Sequence, residues 1–222
     1  MVAETDGPVD RPVVPPPLHP AVVRITHWIN AFALICMILS GWRIYNAAPF
    51  FDFTFPNGWT LGGWLGGALA WHFAIMWLLV ANGLVYLVYG LSTGHFRFHF
   101  LPVTVGAVWS DLRAALSFRL VHSPGLYNAV QRLLYLGVIA LGVFIVLSGI
   151  AIWKPVQFQW LTALFGGYEG ARRVHFLCMS GFVAFLVVHI ALVIIVPRTL
   201  VSMITGKDHL SLPKLGKRKA RP

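Results

Sequence analysis

Four long stretches of this sequence contain no Asp, Glu, Lys or Arg, and they constrain the fold more than any other feature. Each can hold a helix of about 20 residues, the length that crosses about 30 Å of hydrocarbon. The stretches are Ile25–Trp42, Phe53–Phe96, Leu133–Trp153 and Val174–Pro197. Pro56, Asn57, Gly58 and Gly62–Gly63 interrupt the front of the second stretch, so we expect a single crossing there.

The composition places these stretches in a membrane. Only 11% of the 222 residues are charged and 58% are hydrophobic, whereas a soluble domain carries about 25% charged residues. We predict an all-α membrane protein, a four-helix transmembrane bundle with helices over about residues 20–46, 66–91, 127–153 and 170–197. This domain, residues 20–197, lies between a proline-rich arm (1–19), expected to be disordered and cytoplasmic, and a basic cytoplasmic tail (198–222).

The basic residues are distributed unevenly, as the positive-inside rule requires of a multi-pass protein of the bacterial plasma (inner) membrane. With both termini cytoplasmic, the outer loops, about residues 46–65 and 154–170, carry almost none of them. The inner segments carry Arg11, Arg24, Arg97, Arg113, Arg119, Arg198, Lys207, Lys214, Lys217, Arg218, Lys219 and Arg221. The net charge of +10 therefore indicates orientation in the lipid bilayer, and no nucleic-acid partner is expected. In the long inner connection, residues 92–127, the apolar periodicity favours a short surface helix, with an irregular loop as the alternative.

Four histidines lie within the predicted membrane helices: His27, His72, His175 and His189. Titratable side chains inside a bilayer are rare and usually functional. His175 and His189 are 14 residues apart on one helix, which is about 21 Å of rise and nearly four turns, so both imidazoles leave the same face. The spacing predicts two centres at two depths of the membrane.

The topology pairs these histidines. Helices one and three run outward and helices two and four run inward, so His27 and His189 both lie toward the inner side. His72 and His175 each lie early in an inward-running helix and therefore toward the outer side. For any single histidine, the alternative is a simple hydrogen bond to a neighbouring carbonyl.

Two imidazoles per centre suit haem better than a bare metal ion. Structural zinc needs four protein ligands, and only Cys178 lies within a turn of any of these histidines. Haem supplies four equatorial nitrogens and takes two axial ligands. We therefore predict two haem b groups, with His27 and His189 on the inner iron and His72 and His175 on the outer iron.

Two arginines are candidates for contacting the haem propionates. Arg24 lies three residues before His27, and Arg172 lies three residues before His175, so each shares a helix face with its histidine. Snorkelling to lipid headgroups is the alternative for both.

A faint internal repeat relates the two halves of the chain. The pattern L-S-G-x-x-I-aromatic occurs at residues 39–45 and 147–153, and H-F-x-x-M occurs at 72–76 and 175–179. The repeat suggests that the two helix pairs are equivalent near the outer face, unless it arose by chance. Gly41, Gly149 and Gly181 would let a flat macrocycle approach a helix backbone.

Several motifs resemble those of a known family. They are R-I-T-H-W-I-N-A at 24–31, L-S-G at 39–41, W-H-F at 71–73, Q-R-L-L-Y at 131–135 and the pair His175/His189. Over about residues 20–207 the chain is similar to the dihaem b-type cytochrome subunits of bacterial respiratory enzymes. These include the cytochrome b subunits of nickel–iron hydrogenases, the gamma subunit of formate dehydrogenase and the thiosulfate reductase cytochrome b proteins.

The resemblance implies four helices around two haems b, with ligands on helices one, two and four. It also implies a periplasmic redox partner, often a molybdenum or nickel–iron enzyme subunit, and quinone exchange near the inner haem, where His19 and Asn30 are candidate contacts. We therefore expect an electron-transfer subunit that links the quinone pool of the respiratory chain to that partner. No catalytic residue is predicted.

Two other functions stay open at this point. One is a stand-alone membrane superoxide:quinone oxidoreductase of the same fold, and the other is a structural anchor without haem. The outer loops are rich in aromatic residues, which favours either a protein interface or a membrane-surface belt.

Overall fold

The computed structural model describes residues 19–94, 96–97, 103–117 and 128–206, and its regular secondary structure there is helical, without strands. In chain order the helices are α1 (Ala21–Ala47), α2 (Leu65–Ser92), α3 (Val105–Leu116), α4 (Ala129–Trp153), α5 (Gln159–Leu164), α6 (Gly167–Ile195) and α7 (Arg198–Thr205), with a 3-10 turn at Asn57–Trp59. By length and composition α1, α2, α4 and α6 can each cross a membrane. The predicted all-α, four-helix transmembrane bundle is confirmed. Residues 1–18 of the predicted arm and 207–222 of the tail lie outside the described residues.

Apolar side chains cover the outside of the four long helices. Val88, Leu177 and Ile194 are 63%, 62% and 73% exposed. Such a surface would be unfavourable in water, but lipid tails are as apolar as these side chains. Backbone hydrogen bonds within each helix satisfy the polar main chain, as the hydrocarbon region requires.

The termini of the long helices lie within three residues of the prediction, and the differences have local reasons. The fourth long helix, α6, begins at Gly167 instead of about residue 170, after Gly166 in the left-handed conformation (φ +82°). It ends at Ile195 instead of Pro197, because proline disfavours helical geometry in the residue before it. The third, α4, begins at Ala129, where the Asn128 side chain and Gln131 form a reciprocal capping box.

The long helices form two hairpins, α1 with α2 and α4 with α6, and the extensive backbone contacts lie within these hairpins. A buried amide joins the first hairpin, since Asn82 Nδ2 donates to the Thr26 carbonyl and to Asn30 Oδ1, both at 2.8 Å. Between the hairpins it is side chains that meet. Tyr45 and Phe176, for example, have ring centroids 4.9 Å apart.

The connecting segments contain more helix than predicted. Of the two alternatives for the long connection, the helix is present as α3, and its Asp111 Oδ2 accepts the Ala129 backbone N–H at 2.7 Å, which holds it on the start of α4. The region predicted as a tail from residue 198 begins with α7. Arg24 Nη1 donates to the Ile204 carbonyl at 3.1 Å and therefore fastens α7 to α1. The second loop that the sequence predicts to be outer, about residues 154–170, contains α5.

Candidate functional site

The structure brings the four membrane histidines together in two pairs, the same pairs that the sequence predicts. The rings of His27 on α1 and His189 on α6 have centroids 6.0 Å apart. The rings of His72 on α2 and His175 on α6 have centroids 6.3 Å apart. Each pair joins one hairpin to the other, and α6 contributes a histidine to both. Their role as metal ligands stays a prediction from sequence, to which the ring geometry below adds support.

The hydrogen bonds of His175 fix its tautomer. Its Nδ1 lies 3.0 Å from the Ile145 carbonyl and 3.1 Å from Ser148 Oγ. A carbonyl can only accept, so Nδ1 carries the proton and Nε2 keeps its lone pair. Ser148 directs its own hydroxyl proton to the Phe144 carbonyl at 2.7 Å, which leaves its oxygen as an acceptor. His175 is therefore prepared to bind a metal through Nε2.

His72 has the same arrangement in the other hairpin. Its Nδ1 lies 3.0 Å from Ser40 Oγ, and Ser40 donates to the Cys36 carbonyl at 2.7 Å. A hydroxyl has one proton, so Ser40 accepts from the imidazole and Nδ1 of His72 is protonated. Such outer contacts orient metal-binding histidines and raise their basicity.

The L-S-G repeat supplies these contacts twice. Sequence reasoning identified the repeat but missed the role of Ser40 and Ser148, although the shared position of each serine before its glycine was a signal that could have found them. The glycines make room for the rings: an added Cβ would lie 3.6 Å from His72 Cε1 at Gly41 and 3.2 Å from His175 Cε1 at Gly149. These two glycines therefore lie against the imidazoles. Gly181, the third candidate for macrocycle approach, faces the Leu141 side chain.

The two glycines predict a graded response to alanine. Gly149→Ala places a methyl group 3.2 Å from His175 Cε1, closer than ordinary contact, whereas Gly41→Ala gives an ordinary 3.6 Å contact with His72. We expect Gly149→Ala to displace the His175 ring and lower the haem-to-protein ratio of the purified protein, with Gly41→Ala close to wild type. A lower ratio in Gly41→Ala than in Gly149→Ala would contradict this account.

The His27–His189 centre lacks such serines. Among the described residues neither ring has a hydrogen bond, and aromatic neighbours orient both. His189 stacks on Phe185 with centroids 5.6 Å apart and planes 15° apart, and His27 meets Trp28 edge-on at 5.3 Å. This centre is less rigidly organised than the other. His19 lies near it outside the membrane helices, and burial, with a smaller effect of Arg24, lowers its pKa.

The two arginines predicted to contact propionates have protein partners. Arg172 forms an ion pair with Glu169 at 3.0 Å and donates to the Ala48 carbonyl, which ties α6 to the loop after α1. Arg24 uses Nη1 for the Ile204 carbonyl, but its Nε is buried without a hydrogen-bond partner. Arg24, three residues before His27 on α1, thus retains a buried donor without a partner among the described residues.

The residues of both centres fit haem. If both imidazoles of a pair bound one iron, each ligating nitrogen would lie about 2 Å from the metal, and each ring centroid would lie half a ring width beyond its nitrogen. The two ring centroids would then be about 6 Å apart. The observed 6.0 and 6.3 Å agree with that spacing. Two imidazoles are also the donor set that a macrocycle with four nitrogens requires. The protonated Nδ1 of His72 and His175 leaves the Nε2 lone pairs for the metal.

Comparison with known proteins agrees with this chemistry. Residues 18–206 match the family profile described as prokaryotic cytochrome b561. A putative protein-methionine-sulfoxide reductase subunit, YedZ1, of Azospira oryzae is 53% identical over 190 residues, which cover 85% of this chain and 96% of that protein. Probable Ni/Fe-hydrogenase B-type cytochrome subunits are more distant. That of Bradyrhizobium diazoefficiens is 24% identical, over 85% of this chain and 81% of the relative, and that of Cupriavidus necator is 26% identical, over 78% and 76%.

Proposed function

The chain belongs to the prokaryotic cytochrome b561 family, multi-pass proteins of the bacterial inner membrane that transfer electrons through b-type haem, and on that premise we propose that it carries electrons between the quinone pool and a periplasmic oxidoreductase through two haems. The inner haem would be held by His27 and His189, and the outer haem by His72 and His175. The observation that carries this proposal is the pair of opposed imidazoles at each of two depths along α6.

The residues perform three tasks in this proposal. When bound, each haem supplies a one-electron iron couple with no open coordination position. The histidines fix both faces of each iron site, and Ser40 and Ser148 fix the orientation of the outer pair. The apolar helices around them exclude water. His189 follows His175 by 14 positions on α6, so the two centres lie about 21 Å apart along the helix. Together they cover most of the membrane thickness.

We propose that Arg24 contacts a propionate of the inner haem through its buried, unpartnered Nε. Arg172 is the corresponding candidate at the outer haem. Its guanidinium already binds Glu169 and the Ala48 carbonyl, so a propionate would share it with these groups. Both assignments agree with the preference of arginine for carboxylate oxygens.

The partner and the quinone are parts of the proposal that rest on different support. The relative with 53% identity is named as a subunit of a putative protein-methionine-sulfoxide reductase, and others are named as hydrogenase cytochrome subunits. These names support an oxidoreductase as partner, and we propose a periplasmic reductase of the former kind.

The quinone would bind near His27, where His19 and Asn30 offer polar groups. The lowered pKa of His19 favours a neutral imidazole that can hydrogen-bond a quinone.

The test uses the purified full chain. A pyridine haemochrome assay is expected to give two haems b per chain, and a quinol in proteoliposomes is expected to reduce them. Reoxidation should then require the partner oxidoreductase. One haem or none would contradict the two-centre proposal. Rapid quinone-linked turnover with superoxide in the absence of any partner would instead identify the stand-alone oxidoreductase.

The serine contacts give a further expected result. Ser40→Ala and Ser148→Ala each remove one acceptor from an imidazole Nδ1, and for His175 the Ile145 carbonyl remains as a second acceptor. Loss of a contact of this kind typically costs about 10–100-fold in metal affinity, so we expect about tenfold for Ser148→Ala, where the carbonyl persists, and a larger loss for Ser40→Ala. The measurement is the rate of haem transfer to apomyoglobin. Ser92→Ala, whose hydroxyl donates to the Tyr89 carbonyl of its own helix, serves as the control, and an equal effect there would contradict the role of the serines.

A further inference from the structure

Two buried side-chain nitrogens have no hydrogen-bond partner in the part of the chain that the structure describes, and one of them is Trp42 Nε1. The other, Arg24 Nε, has its place in the inner haem site above. The Trp42 ring is fixed in position, since it stacks on Phe55 with centroids 4.5 Å apart and planes 9° apart. An indole N–H can only donate, and leaving it buried and unpaired is unfavourable. Its position therefore calls for an acceptor.

A cavity of about 110 Å³ adjoins the Trp42 ring. It lies between α1 and α6, and its lining residues are Trp42, Phe55, Met179, Ser180 and Val183. The Ser180 hydroxyl donates to the Phe176 carbonyl at 2.9 Å within its own helix. No lining side chain brings a charge, and none of the described residues places an acceptor within hydrogen-bonding distance of Trp42 Nε1, so an acceptor would have to be supplied by a ligand.

The cavity lies next to the outer histidine pair and further in, because its α6 residues Met179, Ser180 and Val183 follow His175 by about 6–12 Å along the helix. Met179 is one helical turn from His175 on α6. On α1, Trp42 directly follows Gly41, whose Cα faces the His72 ring. The aromatic contacts of Tyr45 with Phe176 close the bundle one turn further out. A haem held by His72 and His175 would therefore have part of its edge beside Trp42.

We propose that the Trp42 indole N–H donates a hydrogen bond to a carboxylate of the outer haem and thereby helps to set its reduction potential. The inference rests on the proposed function, because it assumes a haem at His72 and His175. A carboxylate is the strongest acceptor that haem carries, and hydrogen bonds to ionised groups are stronger than neutral ones. By withdrawing negative charge from the carboxylate, the indole favours the ferrous state and raises the potential. Trp42 is thus a positioning residue for the outer haem.

The test compares two variants that both replace tryptophan by phenylalanine. Trp42→Phe keeps a ring to stack on Phe55 but removes the donor. Trp71→Phe, adjacent to His72 and 45% exposed, is the matched control. In a spectroelectrochemical titration the outer haem is identified as the one absent from His72→Ala. Trp42→Phe is expected to lower the potential of the outer haem and leave that of the inner haem unchanged, while Trp71→Phe alters neither.

A second measurement does not depend on the variant retaining its haem. In wild-type protein with ¹⁵N-indole tryptophan, the oxidised-minus-reduced infrared spectrum is expected to contain an isotope-shifted indole N–H band and a carboxylate band. Absence of the shifted band, or an unchanged outer potential in a Trp42→Phe protein with two haems, would overturn the inference while the proposed function stands. Wild-type protein that lacks the outer haem altogether would overturn both.

Discussion

His72→Ala is expected to reduce the haem content from two to one per chain. The remaining ligand of that centre, His175, would face an open coordination position, and one axial bond with the surrounding apolar contacts must then retain the macrocycle. The outer haem should be lost during purification. Any fraction that persists would be five-coordinate and would bind carbon monoxide, which a six-coordinate bis-histidine iron does not readily do.

The haemochrome ratio and the carbon monoxide difference spectrum together measure this change. His19→Ala is the matched control for haem content alone, because it removes a histidine that belongs to neither pair and should leave both haems in place, although it also removes a proposed quinone contact. Two haems without a carbon monoxide band in His72→Ala would show that His72 is not a ligand. The inner haem should keep its reduction by quinol in this variant, since its own ligands are untouched, but electrons should no longer reach the partner.

His189→Ala is expected to remove the inner haem and to stop quinol from reducing the outer one. This centre relies on aromatic neighbours, Trp28 and Phe185, instead of hydrogen bonds to orient its rings. It has no serine to hold the remaining His27 in place, so residual binding should be weaker than in His72→Ala. The outer haem stays bound, but it is separated from the proposed quinone region by about 21 Å along α6.

Proteoliposomes give the decisive comparison for this second variant. Dithionite is expected to reduce its one remaining haem fully, while quinol reduces it no faster than in protein-free controls. Rapid quinol reduction of His189→Ala would place the quinone near the outer centre and would contradict the assigned order of the two haems. His99→Ala, which changes a histidine of the inner connection that the sequence predicts over residues 92–127, tests whether the loss of any histidine has the same effect.

The two centres differ in ways that the sequence pattern could not reveal. Both appear in the sequence as a pair of histidines at one depth. In the structure Ser40 and Ser148 hold His72 and His175 from equivalent positions of the two hairpins, whereas among the described residues His27 and His189 have ring contacts and no hydrogen bond. The internal repeat indicated that the two hairpins are equivalent near the predicted outer face. It did not indicate that the serines of the repeat accept hydrogen bonds from the histidines.

The arginines illustrate the limit of reasoning from helix periodicity. Arg24 and Arg172 each share a helix face with the histidine three residues later, as predicted. A long, flexible side chain can nevertheless reach several acceptors around that face. Arg24 reaches the carbonyl of Ile204, which is 180 residues away in sequence, and Arg172 reaches Glu169 and the loop after α1. The contacts with the Ile204 and Ala48 carbonyls have no local sequence signal, whereas Glu169 lies three residues before Arg172 on the same helix, a spacing at which ion pairs form. Trp42 likewise carried none, since tryptophan is common at the ends of membrane helices.

The sequence by itself determined the number of membrane helices, their approximate ends and the depth of each histidine. These follow from local quantities: the length of an uncharged stretch and the fixed rise of an α-helix. Only the tertiary structure decided which serine meets which imidazole, which glycines admit the rings and where each arginine binds. Those contacts depend on how two hairpins pack against each other and on side-chain rotamers, which are set by neighbours distant in the chain.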